Sequence, residues 1–244
     1  MPSRLTEPER HSPKHNGLLA ALPREDYERL RPLMAPVRLQ LGEVVYESGS
    51  PLRHVYFPVS GIVSLLYIME NGASAEIAVI GNDGLVGVAI LLGGDTTPSR
   101  AVVQVAAEAY QISTQAVLKE FHRGGTMQIL ILRYVQALMT QMSQTAVCNR
   151  HHTVEQQLCR WLLLSLDRLE SNEVAMTQEL ISNMLGVRRS GITEAARNLQ
   201  QAGLIEYHRG HIRVLDRAKL QAHACECYAV VKKEADRLLH SEMR

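Results

Sequence analysis

The chain has 244 residues, of which 46% are hydrophobic, and a formal net charge of +1 at pH 7. This length favours two domains, and the hydrophobic fraction is sufficient for a packed core in each. The near-neutral balance excludes a uniformly basic protein, so any affinity for nucleic acid must come from a local patch.

Targeting signals and disulfides are not predicted. Without a run of about 20 apolar residues, no membrane span is expected. Residues 1–17 lack the apolar segment of a signal peptide, so no signal peptide is predicted. Because these residues are polar and contain prolines, they are predicted to form a disordered tail. The four cysteines, at positions 148, 159, 225 and 227, show no spacing typical of a disulfide framework. A reducing cytoplasmic location is therefore expected.

The front half of the chain reads as a glycine-punctuated sheet. Leu18–Met34 is predicted to be helical, with Pro23 near a helix start. From Val37 to Ile112, short segments rich in Val, Ile, Leu and Tyr alternate with glycines. Turn residues every 8–12 positions or so indicate an antiparallel sandwich or jelly roll. Residues 18–125 are accordingly predicted to form one jelly-roll domain.

Two helices are predicted next, a short one over Ser113–Arg123 and a long one over residues 126–151. The long helix carries apolar residues at three- and four-residue spacing, which is typical of a seam between two helices. Packing against the sheet would give a similar stripe. Because one small barrel cannot cover so long a helix, a parallel dimer helix is favoured. The predicted seam consists of Ile131, Tyr134, Val135, Leu138, Met142 and Thr145.

Residues 152–244 are predicted to form a second domain. Val154–Leu169 reads as a helix beneath it, and Met176–Leu215 reads as a short helix, a tight turn, a second helix and a hairpin. Thr177 is a good N-cap for the first helix, and Gly186 permits the left-handed turn that ends it. The second helix is predicted over Arg188–Gln201. This order of elements is one by which proteins place a helix in the DNA major groove.

The second helix is polar on one side only. At about 100° per residue, its apolar residues fall on one face and hydrogen-bonding side chains on the other. From Gly186 to Val214, five arginines outweigh two glutamates, a net charge of +3. This favours a DNA-reading surface over a merely solvated amphipathic hairpin. The predicted DNA-binding residues are Thr177, Gln178, Arg188, Arg189, Ser190, Thr193, Glu194, Arg197, His208 and Arg209. Of these, Glu194 either accepts from a cytosine amino group or lies in solvent.

In this order, the elements resemble the Crp/Fnr superfamily of bacterial transcription regulators. The most specific match is TQELISNMLGVRRSGITEAARNLQQAGLIEYHRGHIRVLD, and LGEVVYESGSPLRHVYFPVSGIVSLL and GNDGLVGVAILLGG are also similar. The resemblance implies an α+β fold with an N-terminal antiparallel β jelly roll, a long dimerisation helix and a C-terminal winged helix-turn-helix. It further implies a non-enzymatic homodimer that binds double-stranded DNA. RNA polymerase and an unidentified small-molecule effector are further candidate partners.

The expected effector pocket departs from the family pattern. Members that bind cyclic nucleotides carry a Phe-Gly-Glu-Leu type segment for the ribose and an Arg-Ser/Thr-Ala segment for the phosphate. The corresponding residues here are Val86, Gly87, Val88 and Ala89, then Ser99 and Arg100. Because a one-residue shift in a strand sends a side chain to the opposite face, Arg100 fits only if a bulge restores the register. The usual cyclic-AMP contacts are therefore expected to be missing.

No metal or cofactor is predicted. No cysteine precedes Cys148, which argues against the N-terminal iron–sulfur cluster of some family members. His54, the one histidine of the predicted barrel, is expected to be structural. Cys225 and Cys227, with His223 nearby, suggest a metal site in isolation. On a helix, however, residues 225 and 227 point about 200° apart.

Two other function classes compete with a DNA-binding regulator. A cupin-type metalloenzyme needs two or three histidines and a carboxylate inside the barrel, and residues 37–112 contain one histidine. The other class is a module that binds small molecules or proteins, in which the helix-turn-helix serves only packing. A transition metal bound to the purified protein would favour the metalloenzyme. Failure to retard any genomic DNA fragment, with or without small-molecule extract, would favour the binding module.

Overall fold

The computed structural model describes residues 11–240. Its N-terminal part holds two short helices, α1 (Gly17–Ala20) and α2 (Arg24–Leu30), followed by seven strands in two antiparallel sheets with orders β1-β7-β3 and β2-β6-β4-β5. Their inward side chains share one hydrophobic core, which confirms the jelly-roll prediction. The strands are β1 (Ala35–Leu39), β2 (Val44–Tyr46), β3 (His54–Pro58), β4 (Ile62–Ile68), β5 (Ser74–Ile80), β6 (Arg100–Val105) and β7 (Ala107–Ser113).

The N-terminal segment is more ordered than its composition suggests. Asn16 is fully buried, and its side chain accepts from the Leu18 and Leu19 N–H groups at the start of α1. Its amide nitrogen donates to the carbonyls of Pro58 and Gly84, at 2.9 and 2.7 Å. The prediction of a disordered tail is therefore wrong for residues 11–17, because one buried amide ties them to the barrel. Residues 1–10 of that tail lie outside the described residues.

Helix α3 (Thr114–His122) leads into the long helix α4 (Thr126–His151), close to the predicted bounds. The predicted seam on α4 faces the protein's own barrel. Ile131, Tyr134 and Leu138 belong to the barrel core, and the Tyr134 hydroxyl donates to the Leu85 carbonyl at 3.0 Å. Thr145 is buried as well. The structure therefore contradicts Ile131, Tyr134, Leu138 and Thr145 as seam residues, since packing on a sheet and packing on a second helix require the same spacing. Val135 and Met142 are half-buried, and their place in a seam stays a prediction.

A second apolar stripe runs along the other side of α4. Ile129, Leu132, Met139 and Val147 are between 47% and 62% exposed. Their spacing of three, seven and eight residues keeps them on one face of the helix. Helix α4 is thus apolar on two sides, of which the protein covers only one.

Helix α5 (Val154–Leu166) begins with a capping box in which Thr153 and Gln156 satisfy each other's backbone N–H groups. Every residue from Gln157 to Leu166 is buried. One side of α5 packs against Ile62 and Val79 of the barrel sheet and the other side packs against the C-terminal domain.

The C-terminal domain contains the predicted helix, turn, helix and hairpin, preceded by a strand that was not predicted. Within the described residues, it has a three-stranded sheet of order β8-β10-β9, four α-helices after α5 and a π-helical turn over Asp236–His240. The elements are β8 (Glu173–Ala175), α6 (Gln178–Leu185), α7 (Arg189–Gln201), β9 (Ile205–His208), β10 (His211–Val214), α8 (Arg217–His223) and α9 (Glu226–Ala235). Among the helices of residues 11–240, none combines the length and apolarity that spanning a bilayer requires.

The two cysteines near the C-terminus do not share a helix. Helix α9 begins at Glu226, and Cys225 is its N-cap with extended backbone angles of φ −74° and ψ 164°. The expectation that Cys225 and Cys227 diverge on one helix is therefore wrong, because the chain turns between α8 and α9.

Buried polar contacts fix the C-terminal domain on the barrel. The Trp161 indole N–H donates to Glu76 Oε1 of β5 at 3.0 Å, and the Arg168 guanidinium pairs with Asp83 at 2.6 Å. The first contact joins α5 to the barrel, and the second joins Arg168, which lies just after α5, to the barrel. Because buried polar groups are costly when unpaired, these contacts favour one orientation of the domain.

Glu76 makes this contact sensitive to pH. Burial raises the pKa of Glu76 from 4.5 to about 7. A raised pKa means that the folded state favours the protonated form, so its stabilisation is complete below pH 4.5 and is lost as the pH rises through 7.

We expect the free energy of unfolding of the wild type to fall by about 3 kcal/mol between pH 4.5 and 8 on account of Glu76. Glu76→Gln keeps an acceptor for Trp161 but cannot ionise, so its stability should change less over this range. Urea unfolding at several pH values measures the difference. Glu70→Gln, at an exposed carboxylate, should follow the wild type. Equal pH slopes for wild type and Glu76→Gln would contradict the assignment.

Candidate nucleic-acid interface

Helices α6 and α7 are joined by a tight turn that sets the direction of α7. The Thr177 hydroxyl accepts from the Leu180 N–H at 3.3 Å and caps α6, as predicted. Gly186 ends α6 with φ 65°, and the Val187 N–H donates to the Ser182 carbonyl at 3.0 Å. The left-handed glycine closes the helix and lets the chain turn into α7, whose N-cap is Arg188.

The predicted division of α7 into two faces is confirmed. Ile192, Ala195, Ala196 and Leu199 are at most 3% exposed and pack on α5 and α6. The opposite face carries one partly exposed side chain, that of Thr193, and five exposed ones. The five exposed residues are Arg189, Ser190, Glu194, Arg197 and Gln201. The two alanines let α7 lie close to its neighbours, while the polar face turns away from the protein.

A concave notch lies between the starts of α6 and α7 and the β9–β10 hairpin. Its volume is about 320 Å³, and it is lined by Thr177, Gln178, Arg189, Tyr207, Arg209 and Gly210. The Thr193 hydroxyl lies 2.8 Å from Gln178 Oε1, which fixes that side chain. The structure thus brings the predicted residues of three separate elements to one surface.

Tyr207 is a part of this surface that the sequence analysis missed. Its hydroxyl donates to the Met176 carbonyl at 3.0 Å, and burial raises its pKa. The sequence feature that indicates this position is its place on the predicted hairpin strand, one residue before the basic tip at His208.

The β9–β10 hairpin closes through a two-residue turn. Arg209 has φ 49° and Gly210 has φ 83°, the left-handed pair that a type I′ turn requires. Asn or Gly is the usual residue at the first of these positions, since most side chains clash there. Arg209 therefore holds an exposed cation at the hairpin tip in spite of its local backbone cost.

Not every basic side chain of the hairpin is available to a polyanion. Glu173 accepts from His211 and Arg213 at 2.8 and 3.0 Å, and Arg213 also lies 3.7 Å from Glu206. The bonds from Arg213 and then His211 hold the pKa of Glu173 below its ordinary value. In the part of the chain that the structure describes, the exposed side chains of Arg188, Arg189, Arg197 and Arg209 form no ion pair. The uncompensated positive charge lies on the outer face of α7 and the hairpin tip.

The residues predicted for an effector pocket lie on two elements of the barrel. Val86 is fully buried, and Gly87, with φ 94°, precedes a 3-10 helix over Val88–Leu92 that includes Ala89. Ser99 is 4% exposed, with its Oγ 3.0 Å from Thr97 Oγ1.

Arg100 does not share the inward face of its strand. Ala101 and Val103 of β6 point into the barrel core. Because side chains alternate along a strand, Arg100 belongs to the opposite face, where its guanidinium lies 3.0 Å from Glu47.

Residues 36–123 match the cyclic nucleotide-binding domain, and residues 156–223 match the Crp-like helix-turn-helix domain. The chain belongs to the Crp/Fnr superfamily of transcription regulators. The matched helix-turn-helix domain includes α6, α7 and the β9–β10 hairpin. In a winged helix-turn-helix, this hairpin is called the wing.

Known proteins share this architecture at low sequence identity. The Global nitrogen regulator of Synechococcus elongatus is 20% identical over 189 residues, covering 73% of this chain and 85% of the relative. A CRP-family transcriptional regulator from Thermus thermophilus superposes with a TM-score of 0.65 at 19% identity, covering 77% and 96% of the two chains. The c-di-GMP responsive global regulator of Xanthomonas campestris gives 0.64 at 17%, covering 79% and 99%. The matches identify a DNA-binding transcription regulator, a class whose members are generally not enzymes.

Arg209→Asn removes the positive charge at the hairpin tip and also relieves the unfavourable left-handed backbone conformation of this residue. The two effects can be measured separately. Asn tolerates the left-handed region, so we expect the free energy of unfolding to stay the same or rise by up to about 1 kcal/mol. Affinity for DNA should fall on all sequences alike, and the slope of log affinity against log salt should decrease by about 1. Thermal unfolding and salt titrations of DNA binding measure the two effects. An unchanged salt slope would remove Arg209 from the phosphate contacts.

Proposed function

We propose that the protein is a homodimeric, sequence-specific regulator that inserts α7 into the DNA major groove. The observation that carries this proposal is the polarity of α7, whose apolar face is buried while its arginine-bearing face is exposed and lacks internal ion pairs within residues 11–240. Two such helices related by a two-fold axis would read half-sites about one helical turn apart.

The positions of the side chains suggest their roles. Arg189 and Ser190, with Thr193 one turn on, occupy the first half of α7, the part that reaches base edges in this type of module. An arginine there has the forked geometry for guanine. Thr177 and Gln178 stand at the start of α6, whose N–H groups favour a phosphate. Arg188, Arg197, His208 and Arg209 surround this centre and would contact the backbone. Glu194 lies on the same face and would accept from cytosine if a base is in reach.

The homodimer is proposed to form through the exposed apolar stripe of α4, defined by Ile129, Leu132, Met139 and Val147. A monomeric protein rarely leaves such a row of apolar side chains in solvent. Their spacing is compatible with a parallel two-helix seam. This assignment replaces the predicted seam, which packs on the barrel.

Leu132→Asp should weaken the dimer, because a carboxylate would be buried in an apolar seam. We expect the dimer dissociation constant to rise by about 100-fold, which corresponds to about 3 kcal/mol. Sedimentation equilibrium measures it. Leu41→Asp, at a 63% exposed leucine of the barrel, is the matched control and should leave the dimer intact. A wild-type monomer would refute the homodimer, and an intact Leu132→Asp dimer would place the seam elsewhere.

Control by cyclic AMP through the usual contacts is not supported. A buried serine occupies the position where cyclic-nucleotide-binding members carry arginine, and Arg100 is engaged outside the core by Glu47. Val88 stands where those members carry glutamate. We propose that the sensor domain responds to another small molecule; the Xanthomonas relative, described as c-di-GMP responsive, is a family member with a different ligand. RNA polymerase is the partner expected of a transcription regulator.

Arg189→Ala tests whether the exposed face of α7 contacts DNA bases. We expect a loss of about 1–3 kcal/mol on genomic fragments selected by the wild-type protein, and a smaller loss on scrambled DNA. Arg213→Ala removes an arginine that Glu173 already pairs, so it should bind both nearly as tightly as the wild type. Fluorescence anisotropy over a range of salt concentrations gives these constants, and added cyclic AMP should not change them.

The outcomes separate the proposal from its alternatives. If the wild-type protein binds no genomic DNA fragment, with or without metabolite extract, the protein is a ligand- or protein-binding module instead. If Arg189→Ala keeps the preference for selected over scrambled DNA, the assignment of that residue is wrong. Tighter binding with cyclic AMP would restore a cyclic-nucleotide-responsive regulator.

A further inference from the structure

Three cysteines and a histidine meet where the long helix reaches the C-terminal domain. The side chains of Cys148, His152, Cys225 and Cys227 each offer one ligand atom, and these four atoms all lie within 4.8 Å of one another. Two of these residues lie at the end of α4 and two at the start of α9. Cys148 and Cys225 are 77 positions apart in the sequence. We call this group the Cys3His cluster.

Local structure explains the convergence. Cys148 and His152 are four residues apart, so they lie on the same side of the last turn of α4. The His152 N–H donates to the Cys148 carbonyl at 3.0 Å and closes that helix. Cys225 precedes α9 in extended conformation and Cys227 lies in its first turn. The bend between α8 and α9 turns both sulfurs towards α4.

The distances within the cluster fit a tetrahedral ion. Zinc binds sulfur at about 2.3 Å and imidazole nitrogen at about 2.0–2.1 Å. At the tetrahedral angle, two sulfurs are then about 3.8 Å apart, and a sulfur and a nitrogen about 3.6 Å. The structure has 3.5 Å between the Sγ atoms of Cys148 and Cys225 and 3.6 Å between Cys227 Sγ and His152 Nδ1. The four groups thus need little movement to surround one ion.

The surroundings supply what such an ion requires. His152 Nε2 lies 3.3 Å from Glu226, an outer carboxylate of the kind that orients metal-binding histidines. The sulfurs are buried, with Cys148 and Cys227 at 0% and Cys225 at 5% exposure.

Arg160 supplies a balancing charge. Three thiolates, one histidine and one Zn²⁺ carry a net charge of −1. The Arg160 side chain of α5 is 3% exposed, and within the described residues its Nε has no hydrogen-bond partner. The Arg160 Nη1 group donates to the Thr145 hydroxyl at 3.2 Å, and Thr145 lies on α4 one turn before Cys148. The guanidinium is therefore held beside the cluster, where its charge would stabilise an anionic metal site.

We propose that Cys148, His152, Cys225 and Cys227 bind one zinc ion. Four protein ligands complete the shell, which is the arrangement of a structural zinc site and leaves no position for a substrate. The ion would join the end of α4 to the junction of α8 and α9, so it would hold the C-terminal domain on the long helix. Given the proposed function, loss of the metal would loosen the orientation of α7 relative to the dimer axis.

The first test is the metal content of the full-length protein, purified under reducing conditions from zinc-supplemented medium. We expect about one zinc per chain by plasma mass spectrometry. Cys148→Ser and Cys227→Ser should each lower this at least about ten-fold, and Glu226→Gln should weaken zinc affinity about 10-fold through His152. Cys159→Ala is the matched control, because Cys159 is a buried cysteine of α5 outside the cluster. It should retain the zinc.

A second measurement does not depend on the variants folding. Wild-type protein treated with chelator should unfold at a lower temperature and recover when zinc is returned. Cobalt added in place of zinc should give thiolate-to-metal absorption bands. Neither readout involves DNA, so failure here is distinguishable from failure of the proposed function. Zinc-free wild-type protein that takes up no cobalt would overturn the site. So would a Cys148–Cys225 disulfide found by mass spectrometry under non-reducing conditions, or an iron–sulfur absorption spectrum.

Discussion

The arrangement of the two domains depends on the burial of α5 on all sides. A helix with apolar side chains all round must be surrounded by protein, and α5 has the barrel sheet on one side and α6, α7 and the wing on the other. Ile62 and Val79 of the barrel therefore share a core with Trp161 and Ile192. Rotating the C-terminal domain away would expose these side chains at a cost of about 1.5–3 kcal/mol each. Helix α7 is therefore held in place by the same core that folds its domain.

Polar contacts give that shared core a single orientation. Hydrophobic contact is non-directional, whereas the bonds of Glu76 to Trp161 and of Asp83 to Arg168 have fixed geometry. A buried carboxylate or guanidinium that loses its partner is strongly destabilising. A ligand in the barrel that changes the spacing of two α7 helices must therefore favour a second arrangement in which these groups are again paired or solvated.

Local sequence patterns predicted the two faces of α7 well, and they predicted poorly which stripe of α4 the protein covers. The two faces of α7 follow from helical periodicity, and the turns at Gly186 and Gly210 follow from the backbone freedom of glycine, so the sequence suffices there. On α4, the stripes through Ile131 and through Leu132 each keep their residues on one face of the helix, so periodicity does not distinguish them. Only the position of the barrel decides which is covered. The order around Asn16 rests on one buried amide, which composition does not reveal.

The Cys3His cluster illustrates a further limit of sequence reasoning. Assigning Cys225 and Cys227 to one helix separates their side chains, and the actual start of α9 at Glu226 reverses that conclusion. A one-residue difference in a helix boundary thus changes the chemistry that is possible. Cys148 and His152 lie far in sequence from the second pair, with 77 positions between Cys148 and Cys225, and no spacing rule connects the two pairs.

Helix α4 contacts both the barrel and the C-terminal domain. Tyr134 binds the Leu85 carbonyl beside Gly84, where an added Cβ would lie 2.5 Å from the tyrosine ring, so this contact with the sensor domain is close and leaves little slack. Gln141 holds β5, and Cys148 with His152 reaches α9. Since residues 126–151 contain neither proline nor glycine, the helix has no built-in point of bending. The helix therefore runs without a break from the Tyr134 contact, past its exposed apolar stripe, to the cluster at its end.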